Sequence, residues 1–183
     1  MGTWGPDLFQ NDYAAEAAEE IINSSHPFAL IGAWFDKIID TPDFALYADG
    51  DAAIAAAAVL DLYLNKTDYP FFNVKEKWKR NSLDAFLASG TWKRIRPLYH
   101  QAEQVLYLII GKRCVDNWNI AGLYEEWRKN VEGLIERLGR IKDSIYTCES
   151  CGRPILYEEE YQLDEDGVAV CQNCCKKEAQ GKK

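Results

Sequence analysis

Two cysteine pairs dominate the chemistry open to this sequence: Cys148-Glu-Ser-Cys151 and Cys171-Gln-Asn-Cys174, separated by nineteen residues. Two intervening residues let a tight turn present both thiolates of a pair to one ion, and two such pairs at this separation match the spacing of a structural zinc site. The expected ligands are Cys148, Cys151, Cys171 and Cys174, holding one Zn2+ ion. Four thiolates complete the tetrahedron and leave no position for water or substrate, so the expected ion is structural rather than hydrolytic. Cys175 follows directly. It could replace Cys174, but the two-residue spacing favours Cys174 and leaves Cys175 as a spare thiol beside Lys176 and Lys177. A disulfide or redox dithiol is the competing account, and two matched pairs exceed what a redox site needs.

Elsewhere the chemistry is thin. The two histidines are His26, placed before Pro27 as a helix cap or surface group, and His100. His100 shares a helical face with Glu103, which could orient the imidazole as a base, although a surface pair explains the spacing as well. Cys114 has no histidine close in sequence and is expected to be a buried structural thiol. The opening motif is read as structural, with Trp4 and Phe9 plugging a bundle and Asn11 or Asp12 capping a helix; the rival account, an exposed polar cluster of Asp7, Asn11 and Asp12, has no base or nucleophile at hand. No Gly-rich phosphate loop, G-x-S-x-G or H-E-x-x-H occurs. Enzyme is therefore the weakest class. Lys75-Glu-Lys77-Trp78-Lys79-Arg80 and Trp92-Lys93-Arg94-Ile95-Arg96 interleave cations with indoles, as stacking on nucleic acid would require. Snorkelling of long cations around an amphipathic core gives the same pattern and is the favoured account.

These residues sit in a chain of 183 residues that is 48% hydrophobic, enough to bury a real core, with a net charge of -8 that disfavours indiscriminate phosphate binding. Residues 1–70 hold 2 basic and 12 acidic side chains (-10), whereas residues 71–100 hold 7 basic and 2 acidic (+5). The longest apolar run, Ala52 to Leu60, is half of what a membrane span needs, and the N-terminus has neither basic nor apolar signal regions. Pro6 stands where a myristoylation motif wants Ser or Thr. The expected setting is the cytoplasm, without membrane association.

The positioning elements are helical. Ala14, Ala17, Ala18 and Ile21 share one face opposite Glu16, Glu19 and Glu20. A second apolar segment runs from Phe28 to Ile39; a third, Ala52 to Leu64, is capped by Asp49 or Asp51 and, being Ala-rich, is expected at the centre of a bundle. Asn65 to Asn73 reads as a loop and Ser82 to Ala88 as a short helix stopped by Gly90. Pro97 suits the first turn of a helix whose stripe is Leu98, Ala102, Val105, Leu106 and Ile109, ended by Gly111 in the position that tolerates positive φ. A last helix spans Asn119 to Lys142 with Leu123, Trp127, Val131, Leu134, Leu138 and Ile141 inward. The fold class is thus mainly α, an all-α domain of five or six helices over residues 1–142. A zinc-ribbon or treble-clef-like β-hairpin module follows over residues 146–183, its strands Ile155–Tyr157 and Val168–Val170 joined through Asp164-Glu165-Asp166-Gly167. A segment this small depends on its metal for most of its folding free energy.

The opening Met1-Gly2-Thr3-Trp4-Gly5, continuing to Phe9-Gln10-Asn11-Asp12 and an Ala/Glu-rich helix, resembles the bacterial family called domain of unknown function 4259. The Ala52–Leu60 stretch and the helix carrying Trp127, Val131, Leu134 and Leu138, with Trp118 before it, sit in that family's order, so the resemblance spans roughly residues 1–140. It departs in two respects: Ala55 to Ala58 are uninterrupted where the family has an acidic residue, and the family usually lacks a zinc ribbon. Cys151-Gly152-Arg153-Pro154-Ile155 is similar to the first knuckle of many bacterial zinc ribbons, including the DksA/TraR type. The resemblance implies fold and a cytoplasmic origin, and no activity. The expected function is non-enzymatic, an adaptor or an inhibitor of the immunity kind that docks a protein partner. The alternative is a nucleic-acid-associated regulator using Lys75–Arg96 and the ribbon, and an enzyme comes third.

Overall fold

The computed structural model describes residues 5–43, 48–73, 77–89, 92–111, 122–140, 146–151, 154–155, 160–163, 169–172 and 174–175, with the side chains of 77–81, 89, 92–94, 96, 146, 147 and 154 excepted. Six α-helices are seen among these residues: α1 (Asp12–Asn23), α2 (Pro27–Asp40), α3 (Ala48–Asn65), α4 (Lys77–Ser89), α5 (Trp92–Gly111) and α6 (Tyr124–Gly139). A single 3-10 turn, Pro70–Phe72, links α3 to α4. Four short strands follow, β1 (Tyr146–Thr147), β2 (Pro154–Ile155), β3 (Tyr161–Leu163) and β4 (Ala169–Cys171).

The apolar periodicity of α1 buries Ala14, Ala17, Ala18 and Ile21, and Asn11 starts the helix by accepting the Ala14 N–H at 2.8 Å. α3 is the axis of the bundle. Every residue from Ala52 to Leu62 is buried, and the helix packs against α1, α2, α5 and α6. Alanine makes this geometry possible, combining the highest helix propensity with a side chain small enough for neighbouring backbones to approach on all sides. Gly32 does the same between α2 and α5, where an added Cβ would come within 3.3 Å of Leu98. Aromatic rings close the ends: Phe9 stacks on Phe71 at 4.8 Å and meets Tyr69 edge-on at 5.3 Å, while Phe28, Tyr63 and Phe86 form a second cluster.

Several boundaries differ from the sequence-based expectation. α3 begins at Ala48, so Asp49 and Asp51 lie inside its first turn rather than capping it. α4 begins at Lys77, well before Ser82, because Lys, Trp and Arg are adequate helix formers. α5 begins at Trp92, which places Pro97 inside the helix; the ring is exposed, and the extra turn carries Ile95 into the core beside Leu98, Ala102, Val105, Leu106 and Ile109. Gly111 ends α5 without a positive φ. Among the described residues the glycine at positive φ is Gly122, at 68°, two residues ahead of α6, which begins at Tyr124; Asn119 and Lys142 lie outside the described residues. In α6, Trp127, Val131, Leu134, Ile135 and Leu138 are buried. Trp4, Gly90, Trp118 and Ile141 lie outside the described residues.

The sequence pattern also missed the strand pairing. Ile155 pairs back with Tyr146 around the first cysteine pair, and the hairpin partner of Ala169–Cys171 is Tyr161–Leu163. All three residues of β3 are exposed, so no alternation marks it as a strand. Cys148, Ile155, Ala169 and Cys171 form a buried cluster separate from that of the helices.

Candidate metal centre

Each cysteine pair is held by its own antiparallel ladder. Cys148 and Cys151 sit in the turn between β1 and β2, and Cys171 is the last residue of β4, followed by the helical positions Gln172 and Cys174. The ladders are tied together where the Glu149 N–H donates to the Ala169 carbonyl at 2.9 Å. As a result the Sγ atoms of Cys148, Cys151, Cys171 and Cys174 all lie within 4.8 Å of one another, with Cys148 and Cys171 fully buried.

The spacing suits a tetrahedral ion. Four Zn–S bonds of about 2.3 Å set the sulfurs about 3.8 Å apart, and Cys151 Sγ lies 3.9 Å from Cys171 Sγ. A disulfide needs about 2.05 Å, and none of the five described cysteines is disulfide-bonded. The Cys171 N–H donates to Cys148 Sγ at 3.3 Å, which fixes that sulfur against the end of β4. Burial, and then hydrogen bonding with Cys151, Cys171 and Cys148, pushes the Cys174 thiol well above its ordinary value. A dication would reverse that shift, because each ligand sheds its proton on binding. Cys175 stands apart from the cluster, its thiol directed to the Val170 carbonyl at 3.6 Å. Four cysteines close together can therefore hold a metal ion.

The remaining candidates do not converge. His26 occupies the N-cap position of α2 without a side-chain cap bond, and its N–H donates to Ser24 Oγ. His100 is exposed, its ring against that of Tyr99 at 4.0 Å. Asn11 is a helix cap, and Asp7 belongs to a turn in which Gln10 N–H donates to the Asp7 carbonyl; that turn is tied to α6 by Asn130, whose Nδ2 donates to the Pro6 carbonyl at 3.1 Å. Phe9 plugs the bundle as expected. Cys114 and Lys75, and the side chains of Lys77, Trp78, Lys79, Arg80, Trp92, Lys93, Arg94 and Arg96, lie outside what is described.

Sequence reasoning missed a charged network inside the helical core. Asp61 is fully buried; its carboxylate accepts from Tyr69 Oη at 2.5 Å, Arg137 Nε at 2.8 Å and Asn65 Nδ2 at 2.6 Å. Burial, followed by the charge of Asp61, holds the Tyr69 hydroxyl protonated, so it donates throughout the accessible pH range. An acid closing an apolar run, with an aromatic in the next loop, was the available signal.

None of the curated proteins or solved structures compared with this chain matches it. A family model does, over residues 2–130, a stretch that takes in α1 to α5 and the start of α6 and stops before the cysteine cluster. With its opening motif and Ala-rich central helix inside that match, the chain belongs to the family described as Domain of unknown function (DUF4259).

Proposed function

We propose that this is a non-enzymatic protein-interaction protein, an adaptor or an inhibitor of the immunity kind, in which a helical domain of residues 1–142 carries a zinc-stapled module of residues 146–183. The observation behind it is the closed set of four sulfurs: a tetrahedral ion bound there has no open position at which to activate water or substrate. Separate buried clusters in the helices and in the module support the two-part organisation. Among the described residues no helix is long and apolar enough to cross a membrane. Cysteines that hold a metal ion rather than forming disulfides fit a reducing, cytoplasmic setting.

Metal analysis of the purified chain tests the zinc assignment. One zinc per chain is expected, lost in Cys148→Ser together with protease protection of the module, and retained in Cys175→Ser. Iron in place of zinc, or a metal-free chain with a protected module, would refute it. The interaction role is tested by pull-down from host lysate with and without nuclease. A stoichiometric partner that survives nuclease supports the role, and recovery that collapses with nuclease would instead favour a nucleic-acid-associated regulator.

A further inference from the structure

We propose that the outer edge of β3 is a docking strand for an extended, Lys/Arg-rich segment of a partner protein, an inference that rests on the interaction role above and specifies the chemistry of the partner. Among the described residues β3 pairs with β4 alone. The Gln172 N–H donates to the Glu160 carbonyl at 3.3 Å, so the main-chain groups of Glu160 and, two residues on, Gln162 face β4. Those of Leu163 therefore face the outer side. The far side of β4 is already taken, since Ala169 accepts from Glu149 in the first cysteine turn. β3 presents Tyr161 and Leu163, 36% and 49% exposed, on one face of the strand. Strand addition draws on these same features, with main-chain bonds for affinity and alternate side chains for selectivity.

Charge selects the occupant. From Glu158 to Asp166, six of nine residues are acidic and none is basic. An open cavity of about 380 Å³ beside the strand is lined by Glu160, Tyr161, Gln162, Gln172 and Cys175; the Glu160 carboxylate, which accepts from Gln172 Nε2 and has a second oxygen, is the anionic group there against which the head of a Lys or Arg would seat. The same charge opposes a second copy of the chain, because antiparallel β3–β3 pairing would set acidic flank against acidic flank. It also repels nucleic acid.

The test is fluorescence anisotropy of the full-length, metal-loaded chain with a labelled peptide alternating Lys and Val. Controls are the alternating Glu/Val peptide, a Lys/Val peptide of the same composition in two blocks, and the alternating Lys/Val peptide N-methylated at every second residue. Saturable binding of the unmethylated alternating cationic peptide alone is expected, with a loss of about tenfold or more on N-methylation. Leu163→Pro, whose lost N–H is not used toward β4, and Glu160→Gln should each weaken binding by about three- to tenfold while metal content stays at the wild-type level. Equal binding of the block or N-methylated peptide, unchanged affinity in both variants, or no binding overturns the proposal. If peptide binding fails while the wild-type chain and Leu163→Pro recover the same nuclease-resistant partner, the edge is wrong and the interaction role stands. Peptide binding with no partner recovered supports the edge and overturns that role.

Discussion

Arg137→Leu probes how the helical core tolerates a carboxylate at its centre. Asp61 is fully buried and receives one charged donor, Arg137, and two neutral ones, Tyr69 and Asn65. Removing the guanidinium strands the charge. Breaking a fully buried pair costs roughly 3–5 kcal/mol, but the Arg137 side chain is 30% exposed, and water screens that end of the pair, which lowers the expectation to about 2–3 kcal/mol. The hydrogen bond from Arg137 Nη2 to Tyr69 Oη at 3.0 Å and the guanidinium–ring contact at 5.8 Å vanish with it and are included in that figure. For a protein of this length each kcal/mol moves the unfolding midpoint by roughly 2–4 °C, so a fall of about 4–12 °C is expected. The assay is thermal unfolding followed by far-ultraviolet circular dichroism, which reports chiefly on the helices, with the Asp61→Leu/Arg137→Leu double variant as control. Removing both charges leaves no stranded ion, so the double variant should recover most of the loss. A single variant within about 0.5 kcal/mol of wild type, or a double variant no more stable than the single, would refute the reasoning.

Two further outcomes are expected. Asn11→Ala should destabilise the chain by about 1–2 kcal/mol, because the buried Oδ1 that accepts the Ala14 N–H is lost, whereas Asn11→Asp, which keeps an acceptor, should cost less than half as much in chemical denaturation. Burial raises the Asp51 carboxyl to about 7, above its unfolded value of about 3.9. The folded chain therefore binds that proton more tightly than the unfolded one, and stability falls as pH rises from about 4 to about 7. Asp51→Asn should be more stable than wild type at pH about 8 and nearly equal to it at pH about 4; equal denaturation midpoints for the two proteins at both pH values would contradict this.

What the sequence made legible follows from the range of the interactions involved. The cysteine cluster was readable because both cysteine pairs are local, and α1 because its face repeats at the helical period with its cap one residue ahead. The central position of α3 was readable because a helix apolar on every side has to be surrounded. Asp61 was not readable as buried, since its counter-charge lies 76 residues away and the nearer partners Asn65 and Tyr69, 4 and 8 residues on, carry no charge to mark it. The start of α5 was obscured by Pro97, whose usual place in the first turn gave way to the gain from burying Ile95. β3 escaped because neither face of it is buried, which leaves a strand with no period for the sequence to show.

The shared stretch of the family ends at residue 130, partway along α6, yet the counter-charge for Asp61 sits at residue 137. Val131, Leu134, Ile135 and Leu138, which fill the side of the core that α6 covers, also lie beyond it. The stretch matched by the family model thus ends before the helix that completes the core does. A fragment cut where the shared sequence stops would expose that wall of the bundle and leave a carboxylate without its cation.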